Sequence, residues 1–85
     1  MPYNGYANYE TWNANMFLGL EPFYSMLEAY CRYNDDVSYT GFVEWARLSG
    51  TETPDGVPWN APALDTDRLD ESVREYRADT FGFAD

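Results

Sequence analysis

The chain has 85 residues and a net charge of −10, from 15 acids against five bases that are all arginine, with no lysine and no histidine. That length holds one domain, and that charge repels nucleic acid and anionic membranes while favouring a basic partner surface. The missing residue types remove whole chemistries: a Ser–His or Cys–His nucleophile pair, a Schiff-base lysine and a Cys/His zinc site.

Other exclusions follow. Cys31 is the single cysteine, so no internal disulfide can form. It sits in an apolar run, where a free thiol behaves as a small hydrophobe, and a reducing, cytoplasmic setting suits it. The N-terminal residues are not expected to act as a signal peptide, having neither a basic region nor a long apolar stretch, and no apolar run approaches the ~20 residues of a membrane span. Sixteen aromatic residues (8 Tyr, 5 Phe, 3 Trp) are enough to build a core without disulfide or metal, because each buries roughly 150–250 Å².

In chain order, residues 1–7, "MPYNGYA", read as an irregular lead-in. Asn8 is placed to cap a first helix, with Glu10 in its first turn at the positive end of the helix dipole. Tyr9, Trp12, Met16 and Leu20 recur at helical spacing, with Phe17 beside them, and read as the core-facing stripe. Gly19 and Pro22 bracket the end of that helix. A second helix over 22–33 carries Phe23, Met26, Leu27, Tyr30 and Cys31 on one face. Glu28 and Arg32 on it are spaced for an i,i+4 ion pair. Ser38 or Asp36 caps a third helix over 39–48, whose apolar face is Phe42, Trp45 and Ala46, with Val43 or Leu48 alongside. Gly41 weakens it by about 1 kcal/mol relative to alanine, which leaves a strand as the competing reading.

Residues 50–64, "GTETPDGVPWNAPAL", form a proline- and glycine-rich loop. "TPDG" is a turn, since proline presets φ and glycine accepts a positive φ. Trp59 is expected to fold back onto the helices. Asp65 or Thr66 caps a last helix over 66–78, with Leu69, Val73 and Tyr76 as its narrow apolar stripe. Residues 79–85 read as a tail from which Phe81 or Phe83 packs. The expected fold is all-α: one small domain, residues 1–85, of three to four short helices with the loop wrapped around them.

"NYETWN" at 8–13, "TPDGVPW" at 53–59 and "LDTDRLDESVREY" at 64–76 resemble a family of small uncharacterised proteins of bacteriophages, plasmids and some bacterial genomes. The resemblance runs from about residue 6 to residue 77. It brings no activity and no catalytic residues, and it implies a phage or mobile-element origin. The second half departs from the family's pattern in having no lysine.

Carboxylates are the remaining reactive groups. Asp35–Asp36, or Asp65 with Asp67, could hold Mg²⁺ or Ca²⁺, but capping and solvation explain them without an ion, and no metal or cofactor is expected. Asp67, Glu71, Glu75 and Asp79 recur every four residues on the last helix. At 1.5 Å rise per residue they stand about 6 Å apart, close to the roughly 6–7 Å between successive phosphates on a nucleic-acid strand. Like charges four apart cost a few tenths of a kcal/mol each. Arg68, Arg74 and Arg77 offset part of that, with Asp70 and Arg74 in the favourable order. A solvated face is the plain alternative. Tyr9 and Trp12 read as core, whereas Tyr3 and Tyr6 are candidate exposed contacts.

The functional expectation is a non-enzymatic phage or mobile-element effector in the host cytoplasm. It would bind a basic surface of a host protein through Asp67, Glu71, Glu75, Asp79, Tyr3 and Tyr6, without binding nucleic acid or membrane itself. Its sharpest form is a nucleic-acid-mimicking inhibitor of a defence system, of the anti-CRISPR or anti-restriction kind. The alternative is a structural protein that self-associates through surplus aromatics. An enzyme using carboxylates and a divalent metal is the least favoured reading.

Overall fold

Asn8 starts the first helix as its spacing predicts: its Oδ1 accepts from the Thr11 amide at 2.9 Å. The computed structural model describes residues 5–82 and contains four helices: α1 (Tyr9–Leu18), α2 (Phe23–Tyr33), α3 (Tyr39–Trp45) and α4 (Thr66–Phe81). Among the described residues no strand occurs, only an isolated antiparallel bridge between Glu52 and Pro58. The all-α expectation holds, and the strand reading of residues 39–48 does not.

The caps follow local chemistry. Ser38 Oγ accepts from the Gly41 amide at α3, and Asp65 Oδ1 accepts from the Arg68 amide at α4. For α2 the N-cap is Pro22, which has no side-chain acceptor, and the carboxylate of Glu21 just before it accepts from both the amide and the hydroxyl of Ser25. The helix α3 stops at Trp45, three residues earlier than its periodicity suggests. Arg47 adopts φ +60°, and the Leu48 amide donates back to the Val43 carbonyl at 2.8 Å. That is the left-handed turn that closes a helix end, here without the usual glycine. In contrast, α4 runs three residues past its expected end. Phe81 packs against the core and lies under the Arg32 guanidinium of α2, 5.6 Å from ring centroid to Cζ. Phe83 lies outside the described residues.

The helices pack through one core. α4 contacts each of the other three, and α2 contacts α1 and α3. Leu69, Val73 and Phe42 are fully buried, with Leu27, Tyr30 and Cys31 from α2 around them. Gly41 shows why a helix-weakening residue stands in α3: a Cβ there would collide with the Tyr30 hydroxyl and press on Ser38 Oγ. The cost of glycine is what lets α2 and α3 approach. Trp59 folds back as expected and is 0% exposed, with its ring centroid 4.8 Å from that of Phe23. Burying an indole of roughly 150–250 Å² at about 25 cal/mol/Å² contributes on the order of 4–6 kcal/mol, as an upper estimate.

The helix α1 departs from its sequence reading. Tyr9 and Leu20 are exposed, and Trp12 and Met16 are half-buried. The buried residues are Thr11, Asn13, Ala14 and Leu18. The helix is thus turned by about half a revolution from the orientation its aromatics suggest. Tyr9 and Trp12 stack on each other at 5.8 Å instead of anchoring the core. The reason is polar. Thr53 Oγ1 donates to Asn13 Oδ1 at 2.7 Å, and Asn13 Nδ2 donates to Asp55 Oδ2 at 2.8 Å. The Asp65 amide donates to Thr11 Oγ1 at 2.9 Å, and Asn8 Nδ2 donates to the Ala63 carbonyl at 2.7 Å. These bonds fasten α1 to both ends of the loop. The "TPDG" turn itself closes through Gly56 N–H to Thr53 O at 2.8 Å, with Gly56 at φ +90°. Trp45 is a second departure: it is 43% exposed and covers the outside of Tyr30, ring to ring at 5.8 Å.

Candidate functional site

The inner side of α4 is settled by Leu69 and Val73, both 0% exposed. Fixing that side fixes what faces water. Asp67, Glu71, Glu75 and Asp79 are all exposed. With 3.6 residues per turn, each step of four residues rises about 6 Å and rotates about 40°, so the four carboxylates climb roughly 18 Å while sweeping about 120° around the helix. Among the described residues none of the four forms an ion pair; the ion pair there is Glu28 with Arg32, at 3.6 Å.

One basic side chain of α4, Arg68, is turned to other work, while Arg74 is exposed beside the acids. The Arg68 guanidinium lies over the Tyr6 ring, 4.5 Å from its centroid, and donates to Ser72 Oγ at 3.2 Å. Asp70 does not bridge to Arg74 as its spacing suggests. Its Oδ1 accepts from the Tyr39 amide at 2.7 Å and so adds a second cap to α3, where a negative group meets the positive helix end. Asp65 caps α4. Of the six acids from Asp65 to Asp79, two therefore hold the fold together and four are left to solvent.

The aromatic candidates divide. Tyr6 is half-buried under Arg68, so one ring face is already covered. Tyr3 lies outside the described residues. Sequence periodicity had instead assigned exposed rings to the core: Tyr9 at 38% and Trp45 at 43%, while Tyr33 reaches 74%. The polar residues Thr11 and Asn13 inside α1 were the missed signal. Uncharged polar side chains flanking Ala14 on one helix need buried partners, and residues 53–65 supply them.

Among the described residues no group of three or more His, Cys, Asp or Glu side chains is placed to hold a metal ion. No helix there is long and apolar enough to cross a membrane. Asp35 and Asp36 are exposed in the turn between α2 and α3.

The chain belongs to a family of unknown function (DUF7249), whose profile matches residues 1–79. No curated protein and no solved structure matches it. Two of the three segments that carry the family resemblance in the sequence, 8–13 and 53–59, are tied together by Asn13, Thr53 and Asp55. Their place in the structure is architectural.

Proposed function

We propose that this protein is a non-enzymatic binding protein that docks the outer face of α4 onto a basic surface of a partner protein. One observation carries the reading: Asp67, Glu71, Glu75 and Asp79 are exposed and unpaired among the described residues, while neighbouring acids are engaged in caps. Four like charges at about 6 Å intervals repel one another by a few tenths of a kcal/mol per pair, and a cationic groove relieves that cost. The spacing supports the narrower form, in which a phage or mobile-element effector occupies the nucleic-acid groove of a host defence protein.

Affinity capture from a bacterial lysate tests it, with wild type and the Glu71→Gln/Glu75→Gln variant at low and high salt. Captured partners are expected to be lost from the variant and from high salt, since attraction between exposed charges is screened beyond about 10 Å at 0.1 M. Retention of every partner by the neutralised variant overturns the reading.

A second reading has its own observation: Tyr33, Leu20, Trp45, Tyr24 and Tyr9 are large apolar side chains left 38–74% exposed. Self-association through them would make the protein a structural component. Light scattering at micromolar concentration decides it, and a strict monomer removes it.

A further inference from the structure

The turn that closes the loop holds the one aspartate of the chain that is followed by glycine, Asp55–Gly56. Glycine in that place favours a reaction of the backbone itself, because it puts no side chain in the way of its own nitrogen. The Gly56 nitrogen attacks Cγ of the protonated Asp55 carboxyl. The N–H proton and the carboxyl hydroxyl leave as water, and a five-membered succinimide forms. Water then adds to one imide carbonyl and breaks its bond to nitrogen. Opening at the main-chain carbonyl leaves isoaspartate, in which the chain runs through the side-chain carbons. The water lost in the first step is regained in the second, so the net change is an isomerisation and needs no other reactant.

The fold holds both reacting groups back. Gly56 N–H donates to the Thr53 carbonyl at 2.8 Å, which engages the nucleophile. Asp55 keeps a negative φ, so with that hydrogen bond the turn is type I, with ψ of about 0° at Asp55. Ring closure needs the Gly56 nitrogen to eclipse Asp55 Cβ, and that ψ does not bring it there. The carboxylate is held too. Asp55 Oδ2 accepts from Asn13 Nδ2 at 2.8 Å, and Asn13 is itself 0% exposed. Water nevertheless reaches the pair: Asp55 and Gly56 are both exposed, and a Cβ on Gly56 would meet nothing within 4 Å.

From this we infer that Asp55 is a latent isomerisation site and that the Asn13 amide is the latch that keeps it unreacted. Reaction requires the turn to open locally, so its rate follows the open fraction. The product then prevents the latch from re-forming. Isoaspartate lengthens the main chain by one carbon and seats the carboxylate directly on Cα, so the turn and the bond to Asn13 cannot both be restored. The change runs one way and loosens α1 from the loop. It acts at the contact between α1 and residues 53–65, independently of the docking face on α4.

The test compares wild type, Asn13→Ala and Asn8→Ala with a free peptide of residues 50–60. All are held for weeks at physiological temperature in mildly acidic buffer, then mapped by mass spectrometry with fragmentation that distinguishes isoaspartate. Wild type is expected to isomerise at residue 55 at least about thirty-fold more slowly than the peptide, and Asn13→Ala about five- to thirty-fold faster than wild type. Asn8→Ala removes the cap of α1 and its bond to Ala63 but leaves Asn13 in place, and its rate is expected to stay within about two-fold of wild type. A wild-type rate equal to that of the peptide overturns the inference, and so does an unchanged rate in Asn13→Ala. Equal acceleration in both variants overturns it as well, since general destabilisation would then be the cause. Isomerised wild type, separated by ion-exchange chromatography, should melt below the unmodified protein by as much as Asn13→Ala does. An unchanged melting temperature overturns the claim that the product breaks the latch.

Discussion

The contact between α1 and residues 53–65 and the outer face of α4 use polar side chains in opposite ways. In the first, Asn13 is 0% exposed and Thr53 3%, and their side chains bond each other at 2.7 Å. In the second, four carboxylates stand in water with no ion-pair partner among the described residues. A matched buried polar group fixes which side of a helix turns inward, because leaving it unmatched costs about 1–3 kcal/mol. An unmatched exposed charge contributes almost nothing to the fold and remains available to something outside it.

The most severe way to break this contrast is at the loop's own anchor. Trp59→Ala removes a fully buried indole and is expected to cost about 3–5 kcal/mol. For a domain whose total stability is of order 5–15 kcal/mol, chemical denaturation should show the variant stripped of a large share of it. A loss below about 1 kcal/mol would mean that the loop is not integral to the core. Asn13→Ala leaves Thr53 Oγ1 and Asp55 without their partner and is expected to cost about 1–3 kcal/mol. In a domain of this size that lowers the melting temperature by roughly 4–8 °C per kcal/mol.

Alkaline pH tests the interior by another route. Burial lifts the Cys31 thiol from its ordinary 9.0 to about 11, against an opposing pull from the Arg77 charge, and lifts the Tyr39 phenol well above its ordinary 10.0. Both groups are neutral in the fold. Above pH 9–10 the unfolded chain ionises first, so the stability they contribute is complete below the ordinary values and is lost as pH rises through the folded ones. Melting temperature should fall steadily above about pH 9, and a flat profile to pH 11 would contradict their burial. The smallest effect belongs to α4. Glu71→Gln/Glu75→Gln should change stability by no more than a few tenths of a kcal/mol, in the stabilising direction, with the gain shrinking at high salt. A loss above 1 kcal/mol would show that the acids serve the fold after all.

The same contrast explains what could be read from the sequence. The caps at Asn8, Ser38 and Asp65 were legible because each acts within three residues. The inner faces of α2 and α4 were legible because one apolar stripe dominates each. The facing of α1 was not. Two stripes compete on it, and periodicity alone favours the richer one, Tyr9, Trp12, Met16 and Leu20. The choice is made by bonds spanning 40 to 55 residues, from Asn13 to Thr53 and from Asn8 to Ala63, which no local pattern encodes. Asp70 failed for the same reason, since its partner amide on Tyr39 is 31 residues away. The four outward acids were found because exposure on α4 follows directly from where Leu69 and Val73 point.

The Asn8, Thr11 and Asn13 bonds also set a timetable. Their partners, between Thr53 and Asp65, are synthesised long after α1 itself. Until then the first helix has neither its loop partners nor a settled orientation. A helical protein whose first element must wait for such distant partners is expected to fold more slowly than a bundle of equal size built from neighbouring contacts. Stopped-flow refolding of Asn13→Ala against wild type would show whether that long closure is crossed before or after the rate-limiting barrier.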